Sequence, residues 1–112
     1  MATFTAARLA GPVQLSTTDT QVITAVPSGE TRVPKQLIFT NITGSPVTVN
    51  VNLVPSGGSV TNSNRVISAL SVGANSTVIF SMDLPMAVGE TLTASASAVT
   101  SINLVISGIA IS

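Results

Sequence analysis

Val47-Thr48-Val49-Asn50-Val51-Asn52-Leu53 decides the fold class. Its odd positions are apolar and its even positions are Thr or Asn. Successive side chains of a strand point to opposite faces, so this alternation describes a strand with one buried and one solvated face. The same period recurs on both sides. Leu92, Ala94, Ala96 and Ala98 alternate with Thr91, Thr93, Ser95 and Ser97. Val78, Phe80, Met82 and Leu84 form another stripe, and Leu37 and Phe39 are expected inward, with Gln36 and Thr40 outward.

Turn signals separate these runs: Val26-Pro27-Ser28-Gly29-Glu30, Thr43-Gly44-Ser45-Pro46, Pro55-Ser56-Gly57-Gly58, Val72-Gly73-Ala74-Asn75 and Ala87-Val88-Gly89-Glu90. Strands are expected over 12–16, 21–26, 33–42, 47–54, 65–70, 76–82, 90–98 and 102–111. No stretch carries a helical period. The fold class is therefore all-β, an antiparallel β-sandwich or jelly roll of about seven to eight strands. Ile102, Leu104 and Ile106 are followed by Ile109 and Ile111, a phase shift of one residue across Ser107-Gly108. A shift at glycine predicts a β-bulge there. Gly11-Pro12 marks a break, so residues 1–11 are expected as an N-terminal arm and 12–112 as a single domain. Segment 56–64 is the expected long mobile loop. The echoes Gly29-Glu30-Thr31/Gly89-Glu90-Thr91 and Val26-Pro27-Ser28-Gly29/Val54-Pro55-Ser56-Gly57 are read as shared turn chemistry, being too short for a duplication.

Composition narrows the function. The 112 residues include no Cys, His, Trp or Tyr, and only 7% are charged. Ordinary domains carry about 25%. Zinc sites of Cys and His are excluded, as are thiolate and His-dependent nucleophiles. Four basic and four acidic residues cancel, which removes the basic footprint needed for nucleic acid. No run approaches a membrane span, and no signal peptide is evident, so synthesis in the cytoplasm without general secretion is expected. Low charge with a mean hydropathy of +0.61 points to a surface partly buried in an assembly.

No constellation supports catalysis. Asp19, Glu30, Asp83 and Glu90 all lie at or near turns, and no clustered acids suggest a calcium loop. Lys35, the single lysine, is expected at the surface rather than beside a nucleophilic serine. Asn41-Ile42-Thr43 and Asn75-Ser76-Thr77 match a glycosylation pattern that means little without export. No cofactor is expected. The candidate residues are interfacial: Phe4, Arg8, Leu9, Arg32, Lys35 and Arg65. Phe4 is expected to dock on a neighbouring subunit or shell.

The succession from Ile23 through Pro27-Ser28-Gly29-Glu30-Thr31 to Phe39-Thr40-Asn41-Ile42-Thr43 carries a family resemblance. It continues in the hairpin from Val47 to Gly58, then in Leu84-Pro85-Met86-Ala87-Val88-Gly89-Glu90-Thr91-Leu92 and Ile106-Ser107-Gly108-Ile109. Over residues 20–112 it resembles small β-sandwich virion proteins of tailed bacteriophages. It departs from their usual pattern at Pro34 and in its low charge. The resemblance implies a virion structural role, most simply a capsid decoration or cement subunit. Such a subunit would be a homo-oligomer, a trimer being favoured, packed on other virion proteins such as the major capsid protein. The alternative is a tail or fibre module that binds a host receptor or glycan through loop 56–64.

Overall fold

A computed structural model describes residues 3–112. Met1 and Ala2, the first residues of the expected arm, lie outside the described residues. The described residues form eight strands: β1 (Phe4–Gln14), β2 (Thr20–Ile23), β3 (Thr31–Asn41), β4 (Val47–Val54), β5 (Arg65–Val72), β6 (Thr77–Ser81), β7 (Thr91–Ala96) and β8 (Ile102–Ile111). One 3₁₀ turn, Asn62–Asn64, precedes β5. Two four-stranded antiparallel sheets result, in the orders β1-β8-β3-β6 and β2-β7-β4-β5. Successive strands alternate between sheets until the chain folds back, which is the double Greek key of a jelly roll. Among the described residues no helix is long and apolar enough to cross a membrane.

The core lies between the sheets where the alternation placed it. Leu37, Phe39, Val49, Val51, Leu92, Ala94, Ala96, Ile102, Leu104 and Ile106 are all buried. The echoed motifs are one turn used three times. Glu30, Gly58 and Glu90 each donate their N–H to the carbonyl three residues back, on Pro27, Pro55 and Ala87. Gly29, Gly57 and Gly89 sit at the third turn position with φ near +84, +73 and +83°. That is the position where a type II turn demands glycine. Asn41 is buried and closes the β3–β4 connection. Its amide donates to the carbonyls of Ser45 (2.8 Å) and Val72 (3.1 Å), and its Oδ1 accepts from Thr43. The Asn-Ile-Thr match is thus a turn device.

Several expectations need correction. Residues 4–11, expected as an arm, pair with β8 as the N-terminal half of β1. Gly11-Pro12 lies within that strand, at a register shift. The sequence hides this strand because it is an Ala-rich edge with little burial contrast. Asn52 is buried, not solvated, because Thr61, Asn64 and Arg65 close over it and bond its amide. Leu53 is only half-buried. Ala98 lies beyond the end of β7 and is exposed.

The largest correction concerns Ser107-Gly108. β8 runs without a bulge from Ile102 to Ile111; its neighbours bulge instead. β1 inserts Leu9 between Arg8 and Ala10, opposite Ser107 and Ile106. β3 inserts Lys35 between Pro34 and Gln36, opposite Gly108 and Ser107. This also explains Pro34 in an interior strand, since proline is tolerated at bulges. Gly108 is required by the crowding: a Cβ there would collide with the Val33 carbonyl and meet Leu9 Cδ1 at 3.1 Å. Gly108→Ala should therefore destabilise the fold by about 1–3 kcal/mol. A melting temperature equal to that of the parent would show that both bulges yield freely.

Candidate functional site

An unbulged β8 keeps strict alternation, so its two apolar runs face opposite ways. Ile102, Leu104 and Ile106 point into the core, whereas Ile109 and Ile111 share the outer face with Val105. Cross-strand partners then define rows on the outer face of the β1-β8-β3-β6 sheet. At its far end stand Phe4, Ile111 and Thr31, then Ala6, Ile109 and Val33. A polar row follows: Arg8, Ser107, Gln36 and Ser81. Next comes an apolar row of Val105, Ile38 and Ile79. The last row is polar again: Gln14, Asn103, Thr40 and Thr77. Phe4 is 69% exposed and Ile79 59%. Two apolar patches thus flank a polar stripe on a sheet face that the described residues leave uncovered.

The stripe lies in a broad, shallow groove of about 810 Å³. Arg8, Lys35, Gln36, Ser81, Asp83 and Ser107 line it. Lys35 Nζ lies 2.7 Å from Asp83 Oδ1, and both groups are largely exposed, so the pair orients the side chains with little effect on stability.

Three of the six expected residues lie on this face: Arg8 and Lys35 in the groove, and Phe4 two rows away. The other three do not. Leu9 is partly buried and packs against the core. Arg32 takes the inner face, where its backbone pairs with Met86 and its guanidinium lies 3.6 Å from Glu30. Arg65 belongs to the other sheet and donates to Asn52 Oδ1 at 3.3 Å. Sequence reasoning misses Val33, Ile109 and Ile111. Their signal is the phase shift itself, which marks a change of face and not a bulge in β8.

Loop 56–64 is closed by hydrogen bonds. Asn52 Nδ2 donates to the Thr61 carbonyl (2.8 Å) and to Asn64 Oδ1 (2.7 Å), and Asn64 Nδ2 donates to the Ser59 carbonyl (2.8 Å). Between the loop and the outer face of β2 and β7 lies a cleft of about 340 Å³, with Asp19, Gln21, Thr91 and Thr93 on its wall. Thr93 Oγ1 is buried without a hydrogen-bond partner. Among the described residues no group of three metal-ligating side chains gathers.

The strand order is that of an eight-stranded antiparallel jelly roll, and the outer face of its β1-β8-β3-β6 sheet carries the two apolar patches. Two solved structures that the chain resembles are viral. A chain of infectious bursal disease virus (Gx strain) matches with a TM-score of 0.57 at 12% identity, over 99% of this chain and 32% of that one. The chain therefore spans about a third of the viral chain it matches. The Tobacco streak virus coat protein, solved as a dimer, gives a TM-score of 0.46 at 14% identity, over 99% of this chain and 84% of that one. At 12% identity the likeness to the infectious bursal disease virus chain concerns the fold alone. The sequence matches no protein-family model and no curated protein.

Proposed function

We propose that this chain is a non-enzymatic virion structural protein, most simply a capsid decoration or cement subunit that self-associates and packs on the major capsid protein. The observation that carries the reading is the pair of apolar patches on the outer face of the β1-β8-β3-β6 sheet. On a chain with no net charge, such a face favours burial against protein. The jelly-roll order and the likeness to a chain of infectious bursal disease virus support a virion setting. A tailed phage as the source is supported by the sequence resemblance alone. Of the expected interface residues, Phe4 lies in the far patch and Arg8 and Lys35 stand beside it.

The test is co-sedimentation of the purified protein with shells of the major capsid protein, alongside light scattering of the protein alone. Stoichiometric binding to shells is expected, and binding should survive high salt because the patches are apolar. A protein that stays monomeric and remains in the supernatant overturns the reading.

A second reading, receptor or glycan binding on a tail or fibre, is favoured by the polar cleft beneath loop 56–64 and by the unpartnered Thr93 hydroxyl. Replacing 56–64 with a short turn should then abolish cell-surface or glycan-array binding. Undiminished binding excludes that loop.

A further inference from the structure

Among the described residues, β1 is the free edge of its sheet, with no strand beyond it. Thr3 and Ser112 exchange both backbone hydrogen bonds, at 2.6 and 2.9 Å. Backbone groups alternate in direction along an antiparallel strand. The register is unbroken from Phe4 to Arg8, so Thr5 and Ala7 also turn their N–H and C=O groups toward β8. Those of Phe4, Ala6 and Arg8 face away from the sheet.

Natural edges are usually blunted by charge, proline or bulges. In β1 these devices come late. The first charge is Arg8, the bulges follow Arg8, and the proline is Pro12. Phe4, Thr5 and Ala6 are exposed and uncharged. A short, regular, open ladder is therefore presented at the tip of the sheet.

We infer that β1 pairs antiparallel with β1 of a second copy, about a two-fold axis at Ala6. Hydrogen-bonded pairs across the new boundary can form only between outward-facing residues. Centring on Ala6 uses all three of them: Ala6 opposite Ala6, and Phe4 opposite Arg8 twice. Moving the centre by one residue loses a pair or runs into the bulge after Arg8. Phe4, Ala6 and Arg8 share the outer face, so each Arg8 guanidinium lies beside the Phe4 ring of the other copy. That places a cation against the negative face of a ring, with no like charges opposed. The Ala6–Ile109 rows of the two copies then join into one apolar row, and each Phe4–Ile111 row meets the Arg8 of the other copy.

The inference rests on the self-associating reading above and names its contact. A contact of this symmetry closes at two copies, a dimer where the sequence favoured a trimer.

Sedimentation of the full chain over a concentration series should show a monomer–dimer equilibrium. Ala6→Pro removes only an outward N–H, which an edge strand tolerates. It should weaken association about tenfold or more while leaving the melting transition in place. The chain has no cysteine, so Ala6→Cys should cross-link to itself on oxidation, whereas Thr3→Cys should not. If Ala6→Pro fails to fold, the cross-link decides. Association that survives Ala6→Pro, or that leaves Ala6→Cys uncross-linked, overturns the edge pairing and leaves the self-associating reading standing. A protein that is monomeric at every concentration overturns both.

Discussion

Ile106→Asp is expected to unfold the domain, and Ile109→Asp to leave it folded while abolishing the proposed association and shell attachment. These residues stand three apart on one strand and look equivalent in sequence. Ile106 is fully buried and pairs with Leu37 in the core. A carboxylate there has no partner, and its desolvation costs about 5 kcal/mol or more, comparable to the whole stability of a small domain. Ile109 lies beyond the point where the bulges of β1 and β3 release the register, on the outer face beside Ala6 and Val33. A carboxylate there reaches water, so the cost to folding is about 1 kcal/mol or less. Buried against a partner, the same carboxylate is strongly unfavourable. Thermal melting and shell co-sedimentation of the two variants separate these effects. If both variants unfold, Ile109 is a core residue and the change of face is wrong.

Val51→Asp is likewise expected to unfold the domain, and Asn50→Asp to shift its melting transition only slightly. Val51 is fully buried and lies opposite Ala94 of β7 and Ile67 of β5, so a charge there is surrounded by apolar groups. Asn50 points the other way. Its Oδ1 accepts the N–H of Ala69 at 2.7 Å, at a residue held at φ near +51°. Aspartate keeps that acceptor, so the contact survives. Circular dichroism melts check the pair, and equal transitions would mean the register of β4 is off by one.

The legible stretches of the sequence are those where burial alternates. β4 and β8 have the bounds that their patterns indicate, and the three glycine turns follow from φ values that only glycine adopts readily. Long-range register is not legible. A phase shift at Ser107-Gly108 is satisfied equally by a bulge in its own strand or by bulges in both neighbours. The choice depends on which strands lie alongside, and no local pattern states that. Asn52 is the same case in miniature. Its burial follows from loop 56–64 folding over it. The candidate site suffers most from this. Phe4, Arg8 and Lys35 stand out because they are chemically conspicuous, whereas the hydrophobicity of Ile109 and Ile111 reads as core.

The hydrogen-bonded pair of Thr3 and Ser112 has a mechanical consequence. β1 and β8 are antiparallel and meet at these residues, so tension applied between them loads the ladder from one end. Its bonds then break in succession, as in a zipper, and the resistance in that direction is low. Tension along the strand axis, carried across the sheet from β1 to β6, loads many bonds in parallel and must shear them together. A subunit gripped by its sheet face therefore resists strain well, and one pulled by residues 3 and 112 peels open.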